Sequence, residues 1–176
     1  MIDYTKEELV SLIEKHPEKF NEWKVEREDV DLSEIDFSNM TIREVDLSNV
    51  DLNSSSFSDC VLTLVNFSES DLSATDFTRA KVEECDFTDS TLAGAECSYS
   101  EITYCNFAGC DLAGTVFSEA VLTGSDFSSS ENLVAARYDT DTVWPEDDML
   151  PEGFDATYSD DLSALKDDED SMVSDY

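Results

Sequence analysis

The sequence predicts an all-β solenoid, and three observations carry that reading. A large apolar residue recurs at every fifth position from Leu32 to Phe127 without an insertion. Of these twenty positions, only Cys97 is not a bulky hydrophobe. Taken twenty residues apart, they also sort by type. The first set is Leu32, Leu52, Leu72, Leu92 and Leu112; the second is Phe37, Phe57, Phe77, Cys97 and Phe117. The third is Ile42, Leu62, Val82, Ile102 and Leu122; the fourth is Leu47, Phe67, Phe87, Phe107 and Phe127. Neither a helix of period 3.6 nor a strand of period 2 gives a five-residue beat. A fixed period sustained this long means that each unit buries its apolar residue by stacking on a neighbour. A beat of five alone would not separate Leu from Phe, so one coil is twenty residues and has four faces. Five coils at the strand spacing of about 4.8 Å give a rod about 24 Å long.

A solenoid exposes open strand edges at both ends, so each end needs covering. Residues 1–29 read as a helical N-terminal cap. Thr5-Lys-Glu-Glu8 is a capping box that opens a helix running to about Lys15, with Leu9, Leu12 and Ile13 on one face. Pro17 suits a second first turn, and Phe20 and Trp23 then fall three apart. The alternative for this segment is an amphipathic helix that binds a partner.

Residues 30–129 form the repeat region. Two places before each large residue stands a small or apolar one, such as Val50, Ser70, Ala95 or Cys110. The position between is usually Asp or Asn, and the position after the large residue is mostly Ser or Thr. This arrangement resembles the pentapeptide repeat family, whose unit is Ala-(Asp/Asn)-Leu-x-x. The resemblance implies a right-handed quadrilateral parallel β-helix of about five coils. Past Ser129 the beat decays, with Asn132 and Arg137 in the inward slots. The segments Ala135–Pro145 and Leu150–Asp155 resemble the C-terminal closure of cyanobacterial members, with Glu146-Asp-Asp-Met149 inserted between them. Residues 130–158 therefore read as a C-terminal cap, where Tyr138, Trp144 and Phe154 cover the last coil. Residues 159–176 form an acidic tail with few large apolar residues, expected to be disordered apart from a short helix near Leu162–Leu165.

The chain has 43 acidic and 10 basic residues and a net charge of −33. Direct nucleic-acid binding and anionic membranes are thereby disfavoured, and a charged partner should be basic. No apolar run is long enough to span a membrane and no signal segment opens the chain, so the expected location is cytoplasmic. Cys60, Cys85, Cys97, Cys105 and Cys110 all fall on inward positions and read as small buried hydrophobes. Cys85 and Cys105 lie one coil apart, at a spacing that permits a disulfide without requiring one. No cofactor or metal site is expected: His16 stands alone and no Cys spacing resembles a zinc site. No nucleophile–base pair or phosphate loop is present either, so no enzyme activity is expected.

Function is therefore sought on the surface. Residues 30–129 carry 19 acidic and 3 basic residues, a net of −16. Duplex DNA about 24 Å long carries roughly 14 phosphate charges. Asp31, Asp51, Asp71 and Asp111 line the first face and Asp46, Asp86 and Asp126 the fourth, as a candidate DNA-mimicking surface. Further carboxylates occupy variable outer positions: Glu34, Glu44, Asp59, Glu69, Glu83, Glu84, Asp89 and Glu119. Some pentapeptide repeat proteins bind DNA gyrase as DNA mimics, so the resemblance implies a type II topoisomerase as first candidate partner. The competing readings are that Asp satisfies local turn amides, or that acidity keeps the rod soluble or adapts it to salt.

The third face has no Asp before its large residues. Val61, Leu64, Tyr104 and Val121 are expected to point outward there as an apolar patch. Its β-branched residues predict the most regular strands of the rod. This face is the candidate interface of the alternative function, a structural or regulatory scaffold that docks a protein partner or forms a homodimer.

Overall fold

The computed structural model describes residues 3–28 and 30–156. Helix α1 spans Lys6–Lys15 and helix α2 spans Pro17–Lys24. Short strands follow: β1 (Val30–Asp31), β2 (Thr41–Arg43), β3 (Val50–Asp51), β4 (Val61–Thr63), β5 (Lys81–Glu83) and β6 (Glu101–Thr103). Every strand pairs in parallel with the segment twenty residues on, as in Ile42 with Leu62, Leu62 with Val82 and Val82 with Ile102. Isolated parallel bridges carry the same register through the other segments, from Asp36 with Ser56 to Asn106 with Asp126. The chain is thus mostly short parallel strands stacked at a twenty-residue register.

All twenty large residues are buried. Phe37, Phe57 and Phe77 stack with ring centroids 4.8 and 5.1 Å apart. Phe67, Phe87, Phe107 and Phe127 form a second ladder at 5.1, 4.8 and 4.4 Å. The two ladders meet edge-on across the interior, with Phe57 and Phe67 centroids 5.7 Å apart at 82°. Offset stacking along the axis and edge-to-face contact across it are both favourable geometries for aromatic rings. Small residues two places before the large ones fit between, and their hydroxyls are satisfied: Ser55 donates to the Leu32 carbonyl at 2.8 Å and Thr115 to that of Leu92 at 2.9 Å.

Thr5 and Glu8 form the reciprocal capping box that the sequence announced. The helix breaks at His16 and restarts on Pro17, whose missing N–H costs nothing at a first turn. Leu9, Ile13 and Phe20 join the core of the first repeats. Asn21 replaces a neighbouring strand at their open edge: its amide donates to the Glu44 carbonyl at 2.9 Å and accepts from the Asp46 N–H at 2.9 Å. Lys24 lies buried against Ser48.

Beyond Ser129 the parallel ladder continues but its register slips. Asp111 bridges Glu131, Val116 bridges Arg137 and Val121 bridges Val143, so the offset grows from twenty to twenty-one to twenty-two. This corrects the expected inward slots. Asn132 and Arg137 are exposed, while Leu133 and Tyr138 are buried. Asn132 takes a left-handed φ of 56° and absorbs the extra residue there. Trp144 packs edge-on against Phe117 and Phe127, and Phe154 against Trp144. The acidic tail and its expected helix lie outside the described residues.

Candidate functional site

Each repeat places one residue before the large one at the surface and another at the tip of the following turn. All seven carboxylates singled out on the first and fourth faces have a local partner. Asp31, Asp51, Asp71 and Asp111 accept from the backbone N–H two residues on, at 2.9–3.0 Å. Asp46, Asp86 and Asp126 do the same on the fourth face. One Oδ therefore shapes the turn, and Asp or Asn is selected here because its short side chain reaches that amide. The carboxylates still meet solvent: Asp31, Asp51, Asp71 and Asp126 are exposed and Asp46, Asp86 and Asp111 half-buried. The structural and the electrostatic uses of these side chains are compatible.

Sequence reasoning missed why the outer carboxylates stand where they do. The residue two after the large one has a positive φ, between 52° and 72°, in unit after unit from Glu34 to Gly124. A hydrogen bond closes many of these turns, as from the Ser70 N–H to the Phe67 carbonyl at 3.2 Å. A positive φ at the third turn residue is the mark of a type II turn. Seven of the eight outer carboxylates occupy this slot: Glu34, Glu44, Asp59, Glu69, Glu84, Asp89 and Glu119. All seven are exposed. The signal was present in the sequence, because four of the five glycines fall in the slot and no Val, Ile or Thr with a positive φ does.

Where the fourth face meets the first, the surface forms a groove of about 380 Å³. Glu28, Asp31, Asp51, Glu69 and Asp71 line it, with no basic residue in the lining. Elsewhere in the repeats, cations are tied up within the chain. Arg43 pairs with Glu44 at 2.9 Å, Arg79 with Asp59 at 2.7 Å and Lys81 with Glu101 at 3.6 Å. These are the three basic residues of 30–129. Lys6, with Ser33, holds Asp31 down at a pKa of about 2. Arg79 likewise lowers that of Asp59.

The third face forms the four-stranded sheet β2-β4-β5-β6, as its β-branched residues led one to expect. Three of the four residues expected to point outward there do so. Val61, Leu64 and Tyr104 are exposed at 40%, 41% and 64%. Between them in register stand Lys81, Glu84 and Glu101. Val121 is only half-buried rather than fully outward, because Val143 pairs beside it. The Tyr104 ring lies over Gly124, where a Cβ would come within 2.6 Å of it.

The five cysteines are free and buried. Burial pushes the Cys60 thiol up to about 11 and that of Cys110 up to about 12, so neither is a nucleophile near neutrality. Among the described residues, no group of three His, Cys, Asp or Glu side chains converges to hold a metal ion. No helix among them is long and apolar enough to cross a membrane.

The pentapeptide repeat region model matches residues 24–97, and the eight-copy pentapeptide repeats model matches residues 100–131. The chain belongs to the pentapeptide repeat family. No curated protein matches it at a significant level. Among solved structures, this pentapeptide repeat chain is similar to a trypsin-treated form of QnrB1, a plasmid-mediated fluoroquinolone resistance protein. The identity is 24% over 62% of this chain and 58% of that one, with a TM-score of 0.44. The chain thus spans less than two thirds of that protein's length. It is also similar to alr5209, a pentapeptide repeat protein from Nostoc Pcc 7120, at 23% identity over 68% of this chain and 77% of that one, with a TM-score of 0.38. A further match is HetL, a pentapeptide repeat protein involved in heterocyst differentiation regulation from Nostoc sp. strain PCC 7120. It is 18% identical over 71% and 78% of the two chains, with a TM-score of 0.26.

Proposed function

We propose that this pentapeptide repeat protein is a non-catalytic binding module, a DNA-mimicking rod that occupies the basic surface of a nucleic-acid-binding protein. On this reading the repeats make a right-handed quadrilateral β-helix of five coils over residues 30–129. The helices of 1–29 cap one end and 130–158 cap the other, followed by the acidic tail. The observation that carries the proposal is the pairing of the rod's few cations. Arg43, Arg79 and Lys81 are each engaged by a carboxylate of the chain, and of the net −16 over residues 30–129 the N-terminal helices meet only Asp31, through Lys6, and Asp46, through Lys24. Carboxylates before the large residue, as at Asp31, Asp51 and Asp71, and at some turn tips, as at Glu69 and Asp89, then spread negative charge along the axis as phosphates do.

A type II topoisomerase is the first candidate partner, by the role of DNA-mimicking members of the family. The test is a supercoiling assay with the folded protein at low and moderate salt. Inhibition that falls steeply as salt rises supports mimicry, because screening acts on surface charge. Absence of inhibition at low salt removes the topoisomerase.

A second reading rests on the exposure of Tyr104 at 64%, on the same face as the exposed Val61 and Leu64. A scaffold docking a partner or a second copy through the third face would be insensitive to salt and lost with Tyr104→Ala.

A further inference from the structure

Charge is distributed unevenly around the repeats. Of the net −16 over residues 30–129, the third face carries only −2, with Arg43 and Lys81 against Glu44, Glu83, Glu84 and Glu101. Six rows cross this face in parallel register, led by Thr41, Val61, Lys81, Glu101, Val121 and Val143. The Phe rings inside are inclined by only 2–11° from coil to coil, so the coils stack with little rotation and the face is flat.

These rows complement one another about their own centre, which lies between Lys81 and Glu101. A two-fold axis along the strand direction at that point lays the face on a second copy with the order of rows reversed. Lys81 then meets Glu101 of the second copy, Val61 meets Val121 and Thr41 meets Val143. Lys81 already pairs with Glu101 of its own chain at 3.6 Å, so two cations and two carboxylates alternate around the axis. In the next column Thr63 meets Thr123, and Glu83 meets Thr103, a carboxylate opposite a hydroxyl. At the turn tips Glu84 meets Tyr104, a carboxylate opposite a phenol, and Leu64 meets Gly124, over which the Tyr104 ring lies. No like charges oppose each other in these pairs. Arg43 and Glu44, at the rim, keep their own pairing at 2.9 Å. The other two-fold, along the rod, sets each row against itself and brings Glu101 to Glu101 and Lys81 to Lys81.

We propose that the third face is an isologous contact between two antiparallel copies of this chain. The proposal rests on the second reading above and names its partner. A two-fold contact requires a face that complements itself, whereas docking an unrelated protein does not. The face measures about 24 Å by about 10 Å at the strand spacing and rise. That is small for a specific interface, so the dissociation constant should be on the order of 100 μM. The chain is then a monomer at the dilute concentrations of an enzyme assay.

The test is sedimentation equilibrium of the full chain from about 10 μM to about 1 mM, at low and moderate salt. The parent should move from 19.7 kDa toward twice that mass as concentration rises. Salt should strengthen the dimer, because it screens the repulsion between two chains of net charge −33. Val61→Asp places a carboxylate against Val121 and should weaken the dimer at least about tenfold. Lys81→Glu and Glu101→Lys each put four like charges around the axis and should each weaken it about tenfold. The double exchange should return it to within about twofold of the parent. All three positions are exposed, and an unchanged melting curve checks the fold. A parent that stays monomeric at every concentration and salt would overturn the second copy and leave the third face to a different protein. Single losses that the double exchange does not restore would rule out the antiparallel two-fold. A dimer indifferent to Val61→Asp and to Tyr104→Ala would place the contact elsewhere and remove the third face as an interface.

Discussion

The third and fourth faces are built on one five-residue beat and end up as different surfaces. On the fourth, Phe67, Phe87, Phe107 and Phe127 stack inside, while Asp or Asn stands before each. That side chain accepts the amide two residues on, and the chain turns at once. On the third, Thr41, Val61, Lys81 and Glu101 stand in that place, no such bond forms, and three-residue strands run straight. The large residue decides what is buried, and the residue before it decides whether the side is a turn or a strand. Val121 qualifies this rule. Without Asp, its unit still closes a turn from the Ser125 N–H to the Leu122 carbonyl at 3.1 Å. Gly124 at φ 72° supplies the freedom there.

The contrast is sharpest in the core. Phe87→Ala should cost on the order of 3–5 kcal/mol, because the ladder is close-packed on both sides and cannot collapse. Val82→Ala on the third face should cost about 2 kcal/mol. Chemical denaturation of the two variants measures the difference. Equal losses would mean that the aromatic ladder adds nothing to ordinary burial.

The turn tips give a smaller effect. An alanine Cβ at Gly109 on the fourth face would meet Asp89 Oδ1 at 2.1 Å, and one at Gly124 on the third would meet the Tyr104 ring at 2.6 Å. Both side chains are exposed and can swing aside, so the backbone sets most of the cost. With φ at 67° and 72°, each substitution should destabilise by about 1–2 kcal/mol. Melting curves test the pair, and Tyr104 should gain solvent exposure only in Gly124→Ala.

Removing the turn acceptor isolates the residue before the large one. Asp86→Ala should cost about 1 kcal/mol, and Asp86→Asn much less, since the amide oxygen can accept the same N–H. Lys81→Ala at the matching position of the third face should change stability by less than about 0.5 kcal/mol. A loss at Lys81 as large as that at Asp86 would contradict the division of labour.

The smallest effect is a titration. Asp31 falls from its ordinary 3.8 to about 2, chiefly through Lys6 and then Ser33. A lowered carboxylate pKa stabilises the fold above pH about 4 and loses that contribution as pH falls through about 2. Carboxyl chemical shifts should show the Asp31 midpoint rising toward 3.8 in Lys6→Met.

The solenoid was legible because burial repeats. Twenty inward residues at one spacing leave no other way to hide them, and the Leu and Phe sets give the register directly. The capping box at Thr5 and Glu8 was legible because its chemistry is local. The slip at Asn132 was not. Nothing in the pentad count distinguishes an absorbed residue from a displaced one until Leu133 and Tyr138 are seen inside. The left-handed slot was written in Gly94, Gly109, Gly114 and Gly124 but hidden by the Glu residues that share it. The first- and fourth-face carboxylates were legible both as residues and as acceptors for local turn amides, because a short Asp side chain reaches the N–H two places on. On the third face the outward Val61, Leu64 and Tyr104 were legible, whereas the half-burial of Val121 depends on Val143 pairing beside it across the slipped register.

The central claim is that the acidic ladders act together on a basic, DNA-binding partner. The direct measurement is topoisomerase supercoiling in the presence of two folded variants. One carries Asn at Asp31, Asp51, Asp71, Asp111, Asp46, Asp86 and Asp126, which keeps a turn acceptor at each site while removing the charge. The other is Tyr104→Ala. The account predicts that the Asn variant inhibits at least about tenfold less than the parent at low salt, and that the parent's inhibition fades as salt rises. Tyr104→Ala should inhibit as the parent does. Inhibition that survives in the Asn variant and disappears in Tyr104→Ala would contradict the account and transfer the function to the third face.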